Sequence, residues 1–125
     1  YIENASSRAE LRQNIAAALE FIFSAERAEA RRLRAEVIGS AVSRPELRAA
    51  VAATDLDYAR QVAQAYGVAV ESGWVAASVD IRGVALWAQG VINSRVTIEF
   101  NGDPNVAAAW DGLTKSAILA AIFGD

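Results

Sequence analysis

Few residues in this sequence have the type and spacing for acid–base chemistry. Asp55 and Asp57 form one candidate pair, and Asp111 and Lys115 another. A carboxylate dyad needs two groups converging on one proton or one reacting atom. Asp55 and Asp57 lie two apart in a segment that reads as helix, so their side chains diverge by roughly 200°. Asp111 and Lys115 lie four apart with opposite charge and read as a solvent-facing helix pair. The chain has no Cys and no His. That removes thiol chemistry, a disulfide framework, an imidazole base and a His-based metal site. No nucleophile elbow, Gly-rich phosphate loop or metal-ligand cluster is evident. The expectation is a chain that is not an enzyme, with no catalytic residue, no metal and no cofactor.

Binding chemistry has better candidates. Tyr58 and Val62 share the inward stripe of a long helix, Phe23 ends the inward stripe of the first helix, and Tyr66 lies about a quarter-turn off Tyr58. Trp87 sits on a later, strongly apolar helix. Together, Phe23, Tyr58, Val62, Tyr66 and Trp87 could line an apolar pocket with a few hydroxyls to orient a small ligand. The competing reading is ordinary core for Phe23, Tyr58 and Tyr66, and dimer core for Trp87 and Trp110. A cavity of a few hundred Å³ would support sensing, whereas a filled interior would support scaffolding.

The elements that would carry these residues are helical. Ser7-Arg8-Ala9-Glu10 is a capping box, followed by a helix with Leu11, Ile15, Ala18, Leu19, Ile22 and Phe23 on one side. Ser24 is a plausible next N-cap, and the helix after it would turn Leu33, Val37 and Ala41 inward. Arg27, Arg31, Arg32 and Arg34 interleave there with Glu26, Glu29 and Glu36, which reads as a solvated face with local ion pairs. Ser43-Arg44-Pro45-Glu46 is a second capping box. It opens a long helix with Leu47, Val51, Tyr58, Val62, Ala65 and Ala69 in one stripe, bendable at Gly67 and ended by Gly73. Trp74 reads as an anchor in the connection that follows. Asp80 and Asp103-Pro104 then open two terminal helices, separated by an Asn101-Gly102 turn. The predicted fold class is all-α, with about five helices.

The two terminal helices are apolar nearly all round. On the first, Val84, Trp87, Ala88, Val91, Ile92, Val96 and Ile98 cover about half the wheel, beside a stripe of small residues at Gly83, Gly90 and Ser94. On the second, Val106, Trp110, Leu113, Ala117 and Ala120 form one face, and Gly112, Ser116, Leu119 and Phe123 form another. A helix apolar on both sides is buried on both sides. The expectation is an intermolecular four-helix bundle in a homodimer. Gly83, Gly90, Ser94, Trp110, Gly112, Ser116, Leu119 and Phe123 are its interface candidates.

Composition sets further bounds. The 125 residues are 54% hydrophobic with few Gly and two Pro, a folded composition of one-domain length. A net charge of −3 argues against nucleic-acid binding by this segment itself. No signal-peptide pattern is evident, and no apolar run approaches the roughly 18 residues of a membrane span. A cytoplasmic location without membrane contact is expected. The chain contains no Met, so residues 1–6 are expected to be the remnant of a linker from an upstream part. The functional domain would then span residues 7–125.

Arg44-Pro45-Glu46-Leu47, the long helix, Gly73-Trp74-Val75, an Asp-led helix with Ala85-Leu86-Trp87-Ala88-Gln89-Gly90, and Trp110-Asp111-Gly112-Leu113 follow one another in a recurring order. In that order and spacing the chain resembles the C-terminal half of tetracycline-repressor-like (TetR-family) transcriptional regulators. The resemblance covers nearly the whole chain and is strongest from Ser43 onward. It implies an all-helical effector-sensing and dimerisation domain of a bacterial regulator, a repressor, whose last two helices pair with a partner's. Ligand sites in that family vary, and the apolar pocket read from the stripes leads to the expectation of a small, largely apolar effector. DNA would be bound only through an N-terminal helix-turn-helix that these residues do not contain. The metal–tetracycline mode of that family uses His, which this chain lacks, and no pocket residue carries over by motif. The alternative reading is a purely structural helical homodimerisation module without a ligand.

Overall fold

The computed structural model describes residues 2–125. It is all-helical, and no strand occurs among the described residues. Helix α1 is Arg8–Ile22, and a single 3-10 turn, Ala25–Arg27, leads into α2, Ala28–Val42. Helices α3, Pro45–Ala65, and α4, Gly67–Glu71, follow. Then come α5, Ile81–Asn93, α6, Arg95–Glu99, and α7, Pro104–Phe123. The expected five helices are present, two of them broken.

The caps follow the sequence with two differences. Ser7 accepts from the Glu10 amide at 3.1 Å, and Glu10 reaches back to the Ser6 amide at 2.9 Å. Asp80 accepts from Gly83 N–H, and Asp103 from Asn105 N–H, each at 2.9 Å. Ser43 does not cap α3; Arg44 holds that position without a side-chain bond. Ser24 instead donates its hydroxyl to the Phe21 carbonyl, closing α1 rather than opening α2.

Both breaks have local causes. Tyr66 is at once the end of α3 and the start of α4, and Gly67 follows it, where backbone freedom weakens a helix. Ser94 turns its hydroxyl back to the Val91 carbonyl at 2.6 Å, competing with the helical ladder between α5 and α6. Gly73, at φ +75°, lets the chain turn so that Trp74 and Val75 N–H groups both donate to the Ala69 carbonyl. Val75 is the deeper anchor of this connection, 1% exposed, with Trp74 packed partly buried beside it.

The core is built on α1. Leu11, Ile15, Leu19 and Phe23 meet Ile118, Leu119 and Ile122 of α7, with Tyr66, Ala69, Val75 and Ile81 completing it. Ala5 and Ile2 also pack against this core. Helix α7 lies beside α1, α5 and α6; α3 lies beside α5 and α2; α2 lies beside α6.

Several expected faces are rotated. Leu33 is 55% exposed and Val37 is exposed, while Arg31, Arg34, Ile38 and Ala41 turn inward. On α3 the innermost residue is Ala59, fully buried, and Tyr58 stands at the edge, 51% exposed.

Arg31 and Arg34 of α2 do not belong to a solvated face, whereas Arg32, and Arg27 in the turn before α2, are exposed. Arg31 bonds Glu99 of α6 at 2.6 Å and 2.8 Å and the Ile22 and Ser24 carbonyls, and Arg34 bonds Asp55 of α3 at 2.7 Å. Asp111 and Lys115 do not pair with each other either. Asp111 takes both Arg95 Nε (2.6 Å) and Nη2 (3.2 Å), and Lys115 reaches Glu20 of α1 at 2.8 Å. Helix–helix ties across the fold displaced the local pairs that spacing suggested. Helix α7 is long and apolar enough to cross a membrane by length and composition alone, with a mean hydropathy of 1.3 over its 18-residue window, a test that a core helix of a soluble protein also passes.

Gly83 has its explanation within the chain. An added Cβ would lie 2.6 Å from Asp80 Oδ2, inside the cap, whereas at Gly39 nothing lies within 4 Å. Gly39→Ala should therefore gain about 1 kcal/mol from helix propensity. Gly83→Ala should gain nothing, because the displaced cap offsets a similar amount. Urea denaturation of both variants checks this, and equal gains would mean that Asp80 caps no more strongly than water.

Candidate functional site: an apolar chamber and an outward helical face

Helix α1 stands off from α3 and α5, and the gap is a cavity of about 270 Å³. Helix α1 contributes Asn14, Ile15, Ala18, Leu19 and Ile22 to its wall. Tyr58, Val62 and Tyr66 come from the α3–α4 rod, and Ile81, Val84, Ala85, Ala88, Gln89 and Ile92 from α5. Ile118 and Ile122 of α7 close the base, and Ile2 joins the lining. Small residues make the room, since Ala18, Ala85 and Ala88 occupy positions where a Leu would fill the void. A cavity of about 150 Å³ can hold benzene, so this one has room for a larger apolar body.

The polar groups on the wall are all neutral: Asn14, Tyr58, Tyr66 and Gln89. Tyr66 is 4% exposed, and among the described residues its hydroxyl has no hydrogen-bond partner. Burial, and after it the neighbouring Tyr58, pushes the Tyr66 phenol above its ordinary range. The group therefore stays a neutral donor. Tyr58 is half exposed, so the chamber reaches the surface at its ring.

Of the five residues expected to line a pocket, three come together here: Tyr58, Val62 and Tyr66. Phe23 does not line it. Its ring is buried edge-on against Trp110, centroids 5.5 Å apart, because α1 ends there against α7. Trp87 does not line it either; it is 46% exposed on the far side of α5. Ile15, Ala85, Ala88 and Gln89 were missed as lining residues. Helical period marked Ala88 as apolar, but only the tertiary gap distinguishes a wall from a core.

The outer surface of the terminal helices is the second feature. Both charges of α7 turn toward the chain's own Arg95 and Glu20. The face left outside holds Val106, Ala109, Gly112, Leu113, Ser116 and Ala120, all exposed and without a charge. On α5, Leu86, Trp87 and Gly90 are exposed, as is Ser94 at its end, and beyond α6 Phe100 is 79% exposed.

Four interface candidates make contacts within the chain itself. Leu119 is buried in the chain's own core. Trp110 packs on Phe23, and Phe123 packs on the core under the Arg8 and Arg12 guanidiniums, 5.1 Å and 5.5 Å from its ring centroid. Gly83 serves the Asp80 cap. Gly90, Ser94, Gly112 and Ser116 remain on the outside.

Among the described residues, no group of three or more His, Cys, Asp or Glu is gathered where a metal could be held. No protein-family model, curated protein or solved structure matches the chain.

Proposed function

We propose that this chain is the effector-sensing and dimerisation domain of a bacterial, cytoplasmic regulator of the tetracycline-repressor-like kind. In this reading a small, largely apolar effector occupies the chamber between α1, α3, α5 and α7. The DNA-reading helix-turn-helix belongs to another part of the parent protein. The observation that carries the proposal is the chamber itself: a largely apolar space of about 270 Å³ with a few neutral polar groups on its wall. A scaffold with no ligand has no use for it, since a void forfeits packing contacts.

Occupancy would favour one arrangement of α1 against α3–α4 over another. Such coupling requires the effector to bind the two arrangements with different affinity. The second half of the proposal is a homodimer through the outer faces of α5 and α7. Exposed apolar and small residues on both helices, with no charge on the outer face of α7, make a poor surface to leave in water and a good one to bury. Small residues at Gly90, Ser94, Gly112 and Ser116 would let two copies approach closely.

Leu113→Arg should leave helix content unchanged and shift the chain from dimer to monomer, because it places a charge at the centre of the apolar face. Gly90→Leu should weaken the dimer by wedging the helices apart. Sedimentation velocity across a dilution series is the measurement. A wild type that is monomeric at tens of micromolar, or that associates with vesicles instead, removes the two-chain bundle. A thermal-shift screen with neutral apolar compounds tests the chamber, and no stabilisation by any of them would favour a ligand-free module.

A further inference from the structure

A second cavity, of about 140 Å³, lies against the first. Its chemistry is the opposite. Arg27, Arg31, Arg34 and Asn93 line it, and no carboxylate does. The three guanidiniums are not equivalent. Arg31 is satisfied, held by Glu99 and by the Ile22 and Ser24 carbonyls. Arg34 gives Nη2 to Asp55, but its Nε is buried and has no hydrogen-bond partner. Arg27 lies over the Phe21 ring at 5.7 Å and makes no ion pair among the described residues. The one carboxylate that Arg31 holds, Glu99, is shared with Arg95. Of the three, Arg27 alone is without an ion pair among the described residues, and Arg34 Nε is one unanswered donor. A buried donor without an acceptor is costly, and its presence marks a place where an acceptor is missing.

Ile22 and Ile92 line both cavities. We infer that the two cavities are one site, taking a ligand with an apolar body and an anionic head: an alkyl or aryl monocarboxylate. The inference rests on the effector-sensing reading of the apolar chamber and names the class of effector. The chamber has only neutral groups on its wall, so it cannot compensate a desolvated charge. The arginine cavity can. A carboxylate there lies in the field of Arg27, and it can accept from Arg34 Nε only when that side chain, whose Nε is closed to a water-sized body in the arrangement described, turns toward it; charge-assisted bonds of this kind are the stronger ones. The volume of the apolar part suits a tail of about eight carbons, judged against the cavity that holds benzene. The competing occupant of the arginine cavity is water, which could also answer Arg34 Nε.

Octanoate and 1-octanol share a tail and differ in the head, so their comparison isolates the arginines. Isothermal titration of the intact chain with each should give octanoate the higher affinity, by about tenfold, the worth of one added charge-assisted contact. In Arg27→Gln and in Arg34→Lys, which removes Nε but keeps a cation for Asp55, that preference should fall to about twofold or less. Octanol binding should be unchanged in both, which also shows that the variants are folded. Equal affinities in the wild type would mean that the second cavity holds water only, and would overturn the anionic head while leaving the chamber as an effector site. A preference that survives both substitutions would overturn the assignment to these arginines. Binding of neither compound would overturn this inference together with the effector-sensing reading.

Discussion

Arg95→Met should destabilise the fold by about 3 kcal/mol, at the lower end of what breaking a buried ion pair costs. The Arg95 side chain is 7% exposed and stands between two acids. It forks onto Asp111 of α7 through Nε and Nη2 and reaches Glu99 at 3.4 Å. Glu99 in turn holds Arg31 of α2. This run of charges fastens α2, α6 and α7 to one another. Met fills similar volume, so the loss reports charge rather than a cavity. Asp111 is left part-buried without its cation, which is why the lower end applies and why the loss is still large. Removing both partners should recover most of it: Arg95→Met with Asp111→Leu replaces the pair by apolar bulk, which is often neutral. Urea denaturation followed by helical circular dichroism gives both numbers. A cost below about 1 kcal/mol for the single variant would put this pair in the class of exposed ones.

The next largest effect separates two tyrosines that look alike in sequence. Tyr66→Ala should cost about 3 kcal/mol, as for other large-to-small aromatic changes in a core. Tyr58→Ala should cost about 1 kcal/mol, since half of its ring is already in water and one side meets the chamber. Tyr66→Phe should leave stability near that of wild type, because the hydroxyl has no protein partner to lose. It should weaken ligands that accept a hydrogen bond. Thermal unfolding with and without octanol measures all three. Equal losses for the two alanine variants would mean that the Tyr58 ring is closed over by packing and that the chamber does not open there.

The helices were legible because their signals are local. Asp80 and Asp103 announce their caps, and the stripe of Leu11, Ile15, Leu19 and Phe23 announces its face. The double-sided apolarity of α7 was equally visible. What local signals missed was the destination of charge. Asp111 and Lys115 have the spacing of a surface pair, yet each has a stronger partner on another helix, and no window on one helix contains that information. The same limit explains Trp87 and Phe23. Each lies on an apolar stripe, but which side of the stripe meets a void depends on how far α1 stands from α5. Arg31 and Arg34 escape a local reading for the same reason: their partners, Glu99 and Asp55, lie 68 and 21 positions away.

The pairing of α1 with α7 has a consequence for the order in which the domain can form. Lys115 reaches Glu20 across 95 positions, and Asp125 reaches Arg8 across 117. At a synthesis rate of about 5–20 residues per second, α1 is made some seconds to tens of seconds before its partner. Through that interval Leu11, Ile15 and Leu19 have no α7 to cover them, and the floor of the chamber, Ile118 and Ile122, does not yet exist. Helices α2, α3 and α5 can associate with one another in the meantime, since their contacts are nearer in sequence. The apolar stripe of α1 is thus the surface most in need of protection on a growing chain, and the arrival of α7 is the step that closes the domain.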